Sequence, residues 1–141
     1  MFKTILVPVD LAEVEAAKPA IETAVSLAHG SNGTIRLIYV RSLLPVTYME
    51  FVPPTFDLEQ QKDAEAKLAD VAAGVPLPSE RVSAVVKMGA VYYEVLHEAE
   101  AIGAVLVIVG SHRPTMATYL LGSNASTIVR HAKSSVLVVR R

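Results

Sequence analysis

The chain has 141 residues, of which 52% are apolar and 19% charged, and it contains no cysteine. That is the length of one domain with ample core-forming surface, which excludes global disorder, a disulfide scaffold, thiolate metal sites and a cysteine nucleophile. Thirteen Lys and Arg against 14 Asp and Glu give a formal charge of -1 at pH 7, without the basic excess of a chain that holds nucleic acid through many phosphate contacts.

In chain order, Thr4 to Val9 is the first Val- and Ile-rich run and predicts a strand. It is too short for an export signal, and Asp10 stands where a small-residue cleavage site would lie, so a cytoplasmic chain is expected. Ala17, Ile21, Ala24, Val25 and Ala28 follow at helical spacing, with Gly30 expected to terminate the helix. Thr34 to Val40 predicts the second strand. Ser42 to Phe56 combines Pro45, Pro53 and Pro54 with apolar residues, too long and too apolar for a bare linker. It is expected to lie over its own domain, a ligand or a partner.

Asp57 to Ala73 predicts a second helix, Arg81 to Val86 a weaker third strand, and Tyr92 to Ile102 a third helix. Ala104 to Val109 predicts the fourth strand. Ala101 to Gly110, the longest apolar stretch, is about half of a bilayer crossing, so no membrane contact is expected. Asn124 to Ala132 predicts the last helix, and Ser135 to Val139 the last strand. The strands are apolar on both faces instead of alternating, as in a parallel sheet covered by helices on each side. The pattern is therefore one α/β domain over residues 1–141.

In open α/β sheets, ligands collect at the carboxyl ends of the strands, where the winding reverses. The first strand ends in Pro8, Val9 and Asp10, and Asp10 either caps the following helix or meets a ligand. The fourth ends in Gly110, Ser111, His112 and Arg113, followed by Gly122, Ser123 and Asn124 at the start of the last helix. Glycine permits close approach, free N–H groups at a helix start favour phosphate, and Arg113 suits bidentate phosphate contact. These pieces make a candidate phosphate cradle, although Gly-Ser before a helix is also an ordinary cap.

Other signatures are absent. No Walker-type loop exists, and the turn after the first strand lacks the dinucleotide-binding glycine pattern. His29, His97, His112 and His131 show no metal-ligand spacing. Ser111 lacks a nucleophile elbow. At a sheet edge the last strand would expose unpaired backbone groups, so pairing with a second copy through residues 135–140 is expected.

With these residues in view, the chain resembles the universal stress protein family along its whole length. The resemblance rests on Lys3 to Asp10, on Gly110 to Ser123, and on Ile128 to Ala132 with Val136 to Val139. It implies an open five-stranded parallel sheet of order 3-2-1-4-5 with helices on both faces, Rossmann-like in the manner of the adenine nucleotide alpha hydrolases. It also implies ATP binding (or AMP or ADP), dimers through the last strand, and Mg2+ or Mn2+ bridging phosphates near Ser123.

By resemblance, Pro8, Val9 and Asp10 contact adenine and ribose, Val40 meets the adenine edge, and Met88 and Gly89 approach from the third strand. Gly110, Ser111, His112 and Arg113 line the ribose and α-phosphate side, and Gly122, Ser123 and Asn124 hold the outer phosphates. Arg113 replaces the family's second glycine, and the gap from there to Gly122 is one residue shorter. No carboxylate accompanies Ser123 to orient a water, so hydrolysis is expected to be slow at most. A stress-response regulatory protein with an unidentified protein partner is the implied role; a weak ATPase and a nucleotide-free interaction module are the alternatives.

Overall fold

Chain runs apolar on both faces become strands with little solvent side, and this is how the first and fourth strands, at the centre of the sheet, are used. In the computed structural model, which describes residues 2–42, 53–110 and 123–140 (of Ser123, the backbone alone), the strands are β1 (Thr4–Pro8), β2 (Thr34–Arg41), β3 (Val82–Met88), β4 (Leu106–Gly110) and β5 (Ser135–Val139). All pairings are parallel, and the order is β3-β2-β1-β4-β5, as the resemblance implied. The helices are α1 (Val14–Ser31), α2 (Phe56–Ala73), α3 (Val91–Ala101) and α4 (Ser123–His131).

Alternate residues of the central strands feed two separate cores. Ile5, Val7, Ile35, Leu37 and Ile108 pack against the alanine stripe of α1 and Leu68 of α2. Leu6, Ile38, Val40, Val107 and Val109 pack against Val95 and Ala99 of α3 and Ile128 of α4. Burial on both faces accounts for the near-continuous hydrophobicity of β1, β2 and β4. Among the described residues, no helix is long and apolar enough to cross a membrane.

The end of α1 departs from expectation. Gly30 lies inside the last turn, and a Cβ there would meet nothing within 4 Å. The terminus is instead built by Asn32, which is left-handed at φ 56°, and by Gly33, whose N–H donates to the Ala28 carbonyl at 2.9 Å. A Cβ on Gly33 would sit 2.5 Å from the Phe2 carbonyl oxygen, so close backbone passage is what requires glycine there. Arg81, just before β3, donates to the Ala28 and Gly33 carbonyls, both at 2.8 Å. Its cation thus meets the negative end of the helix dipole.

Most of the 42–56 segment singled out in the sequence lies outside the described residues.

Candidate functional site

The sheet opens at one seam. Pairing of β1 with β4 is limited to Ile5 with Leu106 and Leu6 with Val107, whereas β1 stays with β2 as far as Pro8 opposite Ile38. Beyond that register, the Val9 N–H donates to the Ile38 carbonyl at 2.8 Å, which holds the end of β1 on the β2 side. The strands β1 and β4 meet where the winding reverses, so the opening falls at the topological switch point.

A cavity of about 320 Å3 occupies the opening. Pro8, Val9 and Asp10 line it from β1; Ile38, Tyr39, Val40 and Ser42 from β2; Val109 and Gly110 from β4. Val91 and Val95 of α3 and Asn124, Ala125 and Ile128 of α4 complete the described lining. Val9, Val40, Val95, Val109 and Ile128 are all buried, so the walls are apolar, and polar groups stand at the mouth. The amino ends of α3 and α4 lie at the same end of the sheet, where their dipoles favour a negative group.

Asp10 is extended (φ -96°, ψ 112°), and its Oδ1 accepts from the Ala12 N–H at 2.9 Å. It therefore caps the short 3-10 turn Leu11–Glu13 that leads into α1. Among the described residues, the second carboxylate oxygen has no partner, and the residue is exposed on the cavity lining. The two uses foreseen for this side chain are thus geometrically compatible. At Gly110 a Cβ would stand 3.5 Å from the Ala16 carbonyl, an ordinary contact. Packing against α1 therefore does not demand glycine there.

Seven of the expected site residues are therefore placed around one opening or beside it: Pro8, Val9, Asp10, Val40, Gly110 and Asn124 on the lining, and Ser123 at the start of α4. Met88 and Gly89 are not on the described lining. They end β3 one strand further out, where the Gly89 N–H donates to the Arg41 carbonyl at 2.9 Å. Gly89 has φ 147°, and a Cβ would meet the Glu94 carboxylate at 2.9 Å, so this pair shapes the turn into α3. Ser111, His112, Arg113, Gly122 and the Ser123 side chain lie outside the described residues. Among the described residues, no cluster of three or more His, Asp or Glu could hold a metal ion.

Sequence reasoning missed the helix walls, Val91, Val95, Ala125 and Ile128. Apolar residues at helical spacing look alike whether they face a sheet or a cleft. The available signal was position: Val91 begins the helix that follows β3, on the rim where β1 and β4 end.

The model of the universal stress protein family matches residues 1–140. The chain belongs to the universal stress protein family. It is 37% identical over 143 residues to universal stress protein G of Escherichia coli O157:H7, a match covering 99% of this chain and all of the relative. The universal stress protein UspA from Lactobacillus plantarum has the same fold, with a TM-score of 0.78 at 22% identity, covering 99% of this chain and 98% of that one. A universal stress protein solved in complex with cAMP superposes with a TM-score of 0.63 at 22% identity, over 99% of this chain and 97% of its own.

In this universal stress protein, one further group fixes the α3 wall. Glu98 on α3, with a side chain only 6% exposed, pairs with Nη1 of Arg36 on β2 and lies 3.7 Å from Nζ of Lys87 on β3. Arg36 also donates from Nε to Ser83 Oγ at 3.0 Å. A buried carboxylate needs such partners to be tolerated, and together they tie α3 to two strands.

Proposed function

We propose that the chain is an adenine-nucleotide-binding regulatory protein of the stress response. The observation that carries this reading is the apolar opening between β1 and β4, with the Asp10 carboxylate at one side of its mouth and Asn124 at the start of α4 at the other. A purine fits between Val9, Val40, Val95 and Ile128, and the uncommitted oxygen of Asp10 accepts from a ribose hydroxyl. The phosphates then run past Gly110 toward the amino end of α4, where free N–H groups and the helix dipole meet them. By family resemblance, Ser111, His112 and Arg113 would line the ribose and α-phosphate side, Gly122, Ser123 and Asn124 would hold the outer phosphates, and Met88 and Gly89 would approach from the third strand. About 320 Å3 lies at the small end of ligand sites, which suits a nucleoside with its phosphates reaching outward.

Support also comes from family membership and from the neighbour of like fold solved with cAMP. ATP is the nucleotide we assign. A bound Mg2+ or Mn2+ would neutralise phosphate charge near Ser123, held through the phosphates, since no described acidic cluster would bind it directly. The described lining offers Asp10 as its one carboxylate, on the ribose side, so turnover is slow at most. β5 pairs with β4 alone among the described strands, and antiparallel pairing with a second copy would satisfy its outer edge. In this reading, nucleotide state sets a surface for a protein partner.

Thermal unfolding of nucleotide-stripped protein tests the proposal, with ATP, AMP, cAMP and NAD at millimolar concentration, each with and without magnesium. A ligand bound only by the native state adds about 2.7 kcal/mol at a hundredfold excess over Kd. A midpoint raised by several degrees with ATP and unmoved by NAD is the expected result. No shift with any adenine nucleotide would overturn the reading.

A further inference from the structure

On the opposite face of the sheet from α3 and α4, the helices α1 and α2 leave a groove of about 490 Å3 between them. Its origin lies in how α1 uses its surface. The stripe that faces the sheet is all alanine, Ala17, Ala20, Ala24 and Ala28, so the helix sits close, and its next ridge is left partly outside the core. Ile21 and Val25 on that ridge are half-buried and line the groove together with Val71, in the last turn of α2, and Val75, just beyond its end. The groove floor is therefore four branched aliphatic side chains.

Its rim is acidic. Glu22 stands on the α1 side and Asp70 on the α2 side, and neither has an ion-pair partner among the described residues. Lys18 also borders the groove, but its Nζ lies 3.1 Å from Glu15 of its own helix, and Lys67 is held at 3.1 Å by Asp63 in the same way. Together α1 and α2 carry seven carboxylates against three lysines. An apolar channel walled by unpaired carboxylates on both sides is complementary to a helix that presents a row of aliphatic side chains between two rows of cations.

We propose that this groove docks a cationic amphipathic helix of a protein partner, its apolar ridge on Ile21, Val25 and Val71 and its lysines or arginines on Glu22 and Asp70. The inference does not depend on nucleotide binding, since the groove lies on the far face of the sheet from the crevice walls α3 and α4.

The probe is a synthetic peptide of about 15 residues, long enough to hold a helix on binding, built from Leu and Lys with Leu at i, i+3, i+4 and i+7. A scrambled peptide of the same composition is the control. Fluorescence anisotropy gives affinity, and amide chemical shifts of isotope-labelled protein give location. Saturable binding with shifts confined to α1 and α2, lost with the scrambled peptide, is expected. The exposed double variant Glu22→Lys with Asp70→Lys, checked for an unchanged melting midpoint, should bind about tenfold more weakly. Equal binding of the scrambled peptide would reduce the effect to diffuse charge and overturn the proposal, as would shifts located elsewhere or an affinity indifferent to the double variant. A change of oligomeric state in that variant would assign the groove to a second copy and overturn it as well.

Discussion

Asp10 caps a turn with one oxygen and stands on the lining of the opening, and substitution can separate the cap from the proposed ligand contact. Asp10→Asn keeps an acceptor for the Ala12 N–H, so urea unfolding should show stability almost unchanged while adenine-nucleotide affinity falls. Asp10→Ala removes both, and a lost cap costs about 1 kcal/mol in addition. Two glycines provide a second contrast. Gly30→Ala places a methyl in open space within a helix and should stabilise by about 0.5–1 kcal/mol. Gly33→Ala drives a Cβ against the Phe2 carbonyl and should destabilise by about 1–3 kcal/mol, measured by the same unfolding curves. In the sequence, Gly30 has the better claim as a helix terminator because it follows the last apolar position. The true terminus depends on Phe2 and Arg81, remote residues that no local pattern displays.

At the scale of elements, the strands were legible because helices on both faces of the sheet demand continuous apolar runs, and β1, β2, β4 and β5 supply them. Only β3, an edge strand with Ser83 and Lys87 in it, looked weak, yet it pairs with β2 over seven residues. The crevice was half legible. Strand ends announce themselves by Asp10 and Gly110, whereas Val91, Val95 and Ile128 carry no mark that distinguishes a cleft wall from core. The Glu98 cluster was invisible for a similar reason, since an acid on a helix normally faces water. Its removal has a definite order of cost. Arg36→Ala leaves the buried Glu98 carboxylate with Lys87 alone and should destabilise by about 1–3 kcal/mol. Lys87→Ala, which removes the longer and more exposed contact, should cost less than about 1 kcal/mol. Thermal midpoints of the two variants, measured side by side, check the ranking.

For the whole molecule, the order 3-2-1-4-5 was legible through resemblance alone. Nothing local tells β1 that β4, about a hundred residues later, is its neighbour; the element order fixes only that the sheet is parallel. The central position of β1 has a measurable counterpart. Ile5, Leu6 and Val7 are fully buried, and their amides should exchange with solvent deuterium slowest, at rates set by global unfolding. The edges β3 and β5 should exchange faster. If two copies pair through β5, exchange at that strand should slow as protein concentration rises through the dimer Kd, and fast exchange of β5 in protein that sediments as a dimer would rule the pairing out.

The seam between β1 and β4, with its two ladder pairs, also divides the chain in a way that can be exploited. A cut between Gly89 and Ala90 puts β1, β2 and β3 with α1 and α2 on one fragment, and α3, β4, α4 and β5 on the other. Each fragment then owns one bank of the opening, Asp10 and Val40 on the first, Gly110 and Asn124 on the second. A nucleotide bound between the banks, as proposed, would act as a bolt, and fragment reassembly, followed by fluorescence complementation, would become a gauge of its concentration.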